Sequence, residues 1–226
     1  MHDHDSSRWE RPAFPRRRLI QGSALLAGAS AFRIPLREVA AQATPGATPV
    51  GSPIASPVPV AEYVPSSLTT AEYAILRAAV DRIIPADDLG PGAGDAGAQV
   101  YIDRALSDRK TASLTSYQQG LKALDTAAGT GGFVALATDK QDEILTTAES
   151  GKLADAPDGF FAMLLEDTRE GMFSDPVHGG NANFAGWDLM GYPGIKLVWS
   201  EQDQQINSTP TPEHISVAKY QQEAGS

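Results

Sequence analysis

The sequence predicts an all-α fold: a single compact domain of about five helices with a long glycine-rich, aromatic loop. Three observations carry this expectation. Apolar residues recur at helical spacing in five separate stretches between residues 68 and 168. No alternating apolar–polar run is long enough to make a useful strand. Between residues 171 and 194 the chain then holds six glycines and two prolines together with Met172, Phe173, Phe184, Trp187, Leu189, Met190 and Tyr192. That density of glycine and proline argues against a regular helix or central strand. The apolar bulk argues for a loop folded onto something and fixed in one shape.

The first helix opens at Leu68-Thr69-Thr70-Ala71-Glu72, which offers capping chemistry, and carries Tyr73, Leu76, Val80, Ile83 and Ile84 until Pro85 stops it. Residues 87–97 hold five glycines or prolines and read as a turn-rich connection. The second helix puts Ala98, Tyr101, Ile102, Ala105 and Leu106 on one face. The third carries Leu114, Tyr117, Leu121 and Leu124 and ends at Gly129–Gly132. Thr138-Asp139-Lys140-Gln141 reads as a capping box for a fourth, with Ile144, Leu145 and Ala148 inward. Phe160, Phe161, Leu164, Leu165 and Thr168 mark the fifth, which delivers the chain into the loop. Five one-sided helices suit helix-on-helix packing within one domain. The tail starts with Ile195, Leu197, Val198 and Trp199 and then turns polar. Thr211-Pro212-Glu213 offers a helix start there, without a convincing apolar stripe behind it.

The loop carries a resemblance. Phe160-Phe161, Thr168, Glu170-Gly171, Phe173, Asp175-Pro176, Gly179-Gly180-Asn181, Gly186-Trp187 and Gly191-Tyr192-Pro193-Gly194 resemble the hallmark of the gluconate 2-dehydrogenase subunit 3 family. Ile83-Ile84-Pro85, Pro91-Gly92-Ala93 and the helix from Ala98 agree with its first half. One departure is visible, since His178 stands where the resemblance leads one to expect tyrosine.

The resemblance implies a small, cofactor-free subunit of an exported sugar or sugar-acid dehydrogenase. It would bind and stabilise a large FAD-containing subunit of the glucose–methanol–choline type, which oxidises a sugar, polyol or sugar acid. FAD is then expected in the partner, with a cytochrome c subunit as a further partner in some such complexes. The loop residues Gly171, Phe173, Asp175, Pro176, His178, Gly179, Gly180, Asn181, Trp187, Gly191, Tyr192, Pro193 and Gly194 would face that partner in part and pack at home in part.

The first 43 residues read as an address. Arg16-Arg17-Arg18-Leu19-Ile20 gives two arginines, a spacer and two apolar residues, the twin-arginine arrangement. Residues 19–32 are mildly apolar and too short to span a bilayer, and Ala41-Gln42-Ala43 supplies small residues for cleavage at Ala41 and Ala43. The expected route is the twin-arginine translocase, which moves folded proteins, and the expected destination is the periplasm or another extracytoplasmic space. Membrane association would come through the partner complex or an uncleaved signal. Residues 44–67 form a linker with proline at 45, 49, 53, 57, 59 and 65. The expected organisation is thus signal 1–43, linker 44–67, helical domain 68–199 and polar tail 200–226.

Composition narrows the function. Seven Lys/Arg and four Asp/Glu lie in the first 43 residues, which leaves 11 against 24 in residues 44–226, a net charge of −13. Such a surface repels nucleic acid and gives no basic patch. The chain has no cysteine, so disulfides, thiolate metal sites, Fe–S clusters and covalent haem are excluded. No G-x-G-x-x-G opens a helix after a strand, and Gly179-Gly180-Asn181 lacks the lysine and hydroxyl of a phosphate loop. Asp175, His178 and Asn181, near Glu166, Asp167 and Glu170, form the one constellation that could serve acid–base chemistry or a metal. Against it, Asp175 and Asn181 are the residue types that satisfy turn amides, and the acidic residues before them read as a solvated or interface edge. No catalytic, cofactor or metal residue is therefore expected in this chain. The competing readings are an exported carbohydrate-binding module that stacks sugar on Trp187 and Tyr192, and a stand-alone exported enzyme using His178 and Asp175.

Overall fold

The computed structural model describes residues 63–206, Leu197 apart, and residues 213–224. Arg16, Arg17, Leu19, Ile20, Ala41 and Ala43, with most of the linker, lie outside these residues. The described chain is helical: α1 (Thr70–Ile83), α2 (Ala98–Ser107), α3 (Leu114–Ala128), α4 (Thr138–Glu149), α5 (Phe160–Phe173), α6 (Ala185–Met190) and α7 (Val217–Ala224), with short 3-10 turns between them. None of these helices is long and apolar enough to cross a membrane.

Helix α1 starts as its sequence requires. Thr69 is the N-cap: its hydroxyl accepts from the Glu72 amide at 3.3 Å, and the Glu72 carboxylate accepts from the Thr69 amide at 2.8 Å. This reciprocal box satisfies two of the amides that a helix start leaves open. At the other end the Ile84 amide makes a last bond to Val80, and Pro85 has no N–H to continue. Ile75, Leu76, Ala79, Val80 and Ile83 are buried. The turn that follows folds back on the same helix, where the Gly94 amide donates to the Asp81 carboxylate at 2.8 Å. A Cβ on Gly94 would sit 2.4 Å from both Asp81 oxygens, so a larger residue there would displace the carboxylate that accepts from the Gly94 amide.

Helix α1 touches α2, α3, α4 and α5, and the closest packing in the bundle is that of α2 on α5. Seven consecutive residues from Ala98 to Arg104 leave only Arg104 partly exposed, so the helix is buried nearly all round. The closeness of this crossing explains where α5 ends. The sequence suggests that the loop begins at Gly171, after a helix that includes Glu170, yet the helix continues through Gly171 to Phe173. A Cβ on Gly171 would lie 2.7 Å from the Ala98 Cα. The residue is glycine because two helix backbones meet there, and not because the helix stops. Gly120 on α3 does the same against the Phe160 ring, where an added Cβ would fall 2.1 Å away.

Two further expectations are corrected. Helix α4 does open at Thr138, but its N-cap is Ala137 with no side-chain bond. Gln141 turns inward instead and its amide donates to the Phe133 carbonyl at 2.9 Å. Phe133 is fully buried, and an unpaired carbonyl beside it would cost more than an unmade cap at an exposed helix start. Asp167, read as part of a solvated edge, is 3% exposed. It accepts from the Tyr117 hydroxyl at 2.6 Å and pairs with Lys110, which also pairs with Glu170. Burial, and the Asp167 carboxylate beside it, hold the Tyr117 phenol protonated well above its ordinary range. The edge is thus a structural network joining α3, the turn before it and α5.

The end of the segment read as linker is also part of the domain. Asp103 on α2 is fully buried and holds residues 63–68 through both carboxylate oxygens. Oδ1 accepts from the Ser67 and Leu68 amides at 3.0 and 2.9 Å. Oδ2 accepts from the Tyr63 hydroxyl, the Ser66 amide and the Ser66 hydroxyl at 2.7, 2.7 and 3.0 Å. The folded chain therefore begins at Tyr63 at the latest.

Candidate functional site

The loop after α5 is built on the open carbonyls of that helix. A helix leaves its last four C=O groups without partners, and they need donors from elsewhere. Here the loop supplies them. The Asn181 amide donates to the Gly171 carbonyl at 2.8 Å. The Asn181 side-chain amide donates to the Ser174 carbonyl at 2.8 Å, and the Trp187 indole N–H to the Phe173 carbonyl at 3.0 Å. Asn181 then closes the structure, because its side-chain oxygen accepts from the Gly186 amide at 2.8 Å. With no exposed surface, Asn181 is the pivot of the loop. Its φ of 49° is the left-handed region that asparagine tolerates better than most residues.

Close approach explains two of the glycines. An added Cβ on Gly180 would lie 2.0 Å from the Gly171 carbonyl oxygen, and one on Gly186 would lie 1.9 Å from the Met172 carbonyl oxygen. The loop thus lies directly on the helix backbone. Gly179 faces α2 instead, where a Cβ would meet the Arg104 side chain at 2.9 Å. The Arg104 guanidinium also lies 5.6 Å over the Tyr63 ring. The anchored start of the domain and the glycine-rich loop therefore share one neighbour, Arg104, which sequence spacing gave no reason to single out.

The aromatic residues divide. Trp187 is 4% exposed, with Tyr192 edge-on at 4.9 Å and Phe184 tilted at 5.3 Å. It belongs to the core. Tyr192 packs its ring against Trp187 yet stays 39% exposed, and Met190 is 52% exposed. Phe173 is half-buried, Pro176 is buried, and Gly191, Pro193 and Gly194 lead the chain out of α6. Gly191 caps α6 at a φ of +66°. The expected loop thus contains one six-residue helix, α6, which holds Gly186 within it and ends at Gly191.

Asp175, His178 and Asn181 do not assemble a reactive centre. Asp175 Oδ1 accepts from the Val177 amide at 3.0 Å and the Ser216 hydroxyl at 2.6 Å, and Oδ2 accepts from the Val217 amide at 2.8 Å. Its carboxylate serves turn and helix amides, as the bland sequence reading has it. The His178 side chain is exposed. Among the described residues no three His, Cys, Asp or Glu side chains lie close enough together to hold a metal ion.

The tail gives the finding that the sequence did not foreshadow. Residues 213–220 return to the loop and lie along it. The Glu213 amide donates to the Pro193 carbonyl at 2.8 Å, and the Ile195 amide to the Ile215 carbonyl at 3.0 Å. His214 stacks on Phe184, with ring centroids 4.7 Å apart and planes 3° from parallel, and its Nε2 lies 2.6 Å from Asp188 Oδ1. The signal for this was Ser216 ahead of a short helix, too common a pattern to name a docking site.

The family model described as gluconate 2-dehydrogenase subunit 3 matches residues 70–194, from the first residue of α1 to the last glycine of the loop. No curated protein and no solved structure matches the chain.

Proposed function

The chain belongs to the gluconate 2-dehydrogenase subunit 3 family, and from that membership we propose that it is a non-catalytic small subunit of a flavin-dependent dehydrogenase complex. In this reading it binds and stabilises an FAD-containing partner of the glucose–methanol–choline type, which oxidises a sugar, polyol or sugar acid. It also lends that partner its twin-arginine signal, so the two cross the membrane folded and together. FAD belongs to the partner, and a cytochrome c subunit is the natural electron acceptor where one is present.

The observation that carries the reading is the construction of the loop. Asn181 and Trp187 cap α5, Gly180 and Gly186 lie on its backbone, and Met190 with the outer part of Tyr192 is left at the surface of that fixed base. An aromatic ring with few rotatable bonds and an adaptable methionine on a preorganised surface suit protein recognition. The same construction disfavours the sugar-binding alternative. The Trp187 ring is covered by Tyr192 and Phe184 and has no open face on which a sugar could stack.

The export half of the reading has a direct test. Replacing Arg16→Lys and Arg17→Lys should leave both this chain and the dehydrogenase in the cytoplasm, with extracytoplasmic dehydrogenase activity reduced at least tenfold. Fractionation followed by activity assay reads the result. A dehydrogenase that still reaches the outside in the variant strain removes the escort role.

A further inference from the structure

We propose that residues 213–224 are a strap over the Asp175, Phe184 and Asp188 side of the partner-facing loop, beside the exposed Met190 and Tyr192, and that the dehydrogenase must lift it to seat. The proposal rests on the partner-subunit reading above and adds to it a regulation of that same surface.

The first argument is position. The strap contacts Asp175, Phe184, Asp188, Pro193, Ile195 and Lys196, which lie in the loop and just beyond it. The family match stops at Gly194, so the surface shared with the family is overlaid by a segment outside the shared part. The second argument is the chemistry of the contact. It is made of hydrogen bonds, ion pairs and one ring stack, and no residue from Glu213 to Tyr220 is buried. The Glu213 and His214 ion pairs are largely exposed and contribute little each, whereas the part-buried Asp175 bonds to Ser216 and Val217 form the stronger latch. A core element would bury apolar side chains, as Leu164 and Met172 of α5 do. The third argument is strain. The two stacked residues, Phe184 and His214, both hold left-handed backbone, with φ of 60° and 52°. A bulky aromatic residue at positive φ is an outlier, and strain of this sort collects at segments that switch. Lifting His214 away frees His214 itself to relax, while Phe184 stays held by the hydrogen bond from its amide to the Asn181 carbonyl.

Being part of the same chain, the strap competes with the partner at a high effective concentration. If it covers the loop in about nine molecules in ten, the competent fraction is about one tenth and the partner's apparent affinity falls roughly tenfold. The full chain carrying His214→Ala with Ser216→Ala should therefore capture the dehydrogenase about tenfold more tightly than wild type. The probe is the dehydrogenase recovered with the wild-type chain. A lock gives the opposite sign. The chain has no cysteine, so Ile195→Cys with Ile215→Cys, placed at the backbone bond between those residues, can form a single disulfide. Its oxidised form should lose capture and regain it on reduction. Equal or weaker capture by the released variant, or full capture by the oxidised lock, overturns the proposal. Hydrogen exchange of the Ile195 amide in the lone chain reads the strap without the partner. Exchange should speed about tenfold in the released variant, and an unchanged rate overturns the strap alone. Capture of no dehydrogenase by any form of the chain overturns the partner-subunit reading.

Discussion

Gly180→Ala should destabilise the domain by about 3 kcal/mol, the cost of forcing a group into a packed site whose neighbour cannot move aside. The added Cβ falls 2.0 Å from the Gly171 carbonyl oxygen, a backbone atom within α5. That carbonyl is also the acceptor of the Asn181 amide, so any shift that relieves the clash stretches the bond which seats the loop. The loss should therefore spread to the Asn181 bonds and to the Trp187 indole bond with Phe173. Gly191→Ala is the control. A Cβ there meets nothing within 4 Å, and only its φ of +66° opposes the change, which costs about 1 kcal/mol. Urea denaturation of the two variants beside wild type should rank them in that order. Equal losses would mean that the loop is not seated on the helix as described.

Asp103→Asn should cost a similar amount, about 3 kcal/mol, for a different reason. The substitution keeps the shape and removes the charge. Each carboxylate oxygen accepts from at least one backbone amide that cannot turn away: Ser67 and Leu68 on one side, Ser66 on the other. Whichever way the new amide is placed, its NH2 group faces N–H donors. Residues 63–68 should then detach, and proteolysis between the linker and α1 should quicken. The acid dependence follows from the same contacts. Burial alone would raise the Asp103 carboxyl, but the Ser66 amide, the Tyr63 hydroxyl and the Leu68 and Ser67 amides together hold it below its ordinary value of 3.8. A depressed carboxyl stabilises the fold fully above its unfolded value and loses that contribution as pH falls through the folded one. Wild type and Asp103→Asn should therefore differ most at neutral pH and converge below about pH 4. A gap that stays constant down to pH 3 would contradict this account of Asp103.

These two residues also show what the sequence could and could not reveal. Periodicity locates α1 to α5 because each carries an apolar stripe, and Leu76, Ile102, Leu121, Leu145 and Leu164 all fall inside as their spacing requires, although α2 is buried on its other faces too. The Thr69–Glu72 cap is legible because it is local. Thr138–Gln141 has similar letters and fails, because a buried carbonyl eight residues back claims the glutamine. Asp103, Asp167 and Lys110 are illegible for the same reason. Their partners lie 35 to 60 residues away, and a charged residue with a distant partner looks like surface. The loop's identity was legible because its glycines are fixed by backbone contact and so leave a long, irregular pattern. Which of its aromatics turn inward was not legible. Trp187 is held by the Phe173 carbonyl while Tyr192, five residues on, is left at the surface, and nothing in their spacing separates the two.

The central claim is that this chain works as the small subunit of a flavin dehydrogenase. Its most direct test is a gentle pull-down of the tagged full chain from its native host, followed by an absorbance spectrum of what is recovered. The account predicts a larger protein in roughly equal amount, with the spectrum of bound flavin and sugar- or sugar-acid-oxidising activity. Recovery of this chain alone, folded and colourless, would contradict it.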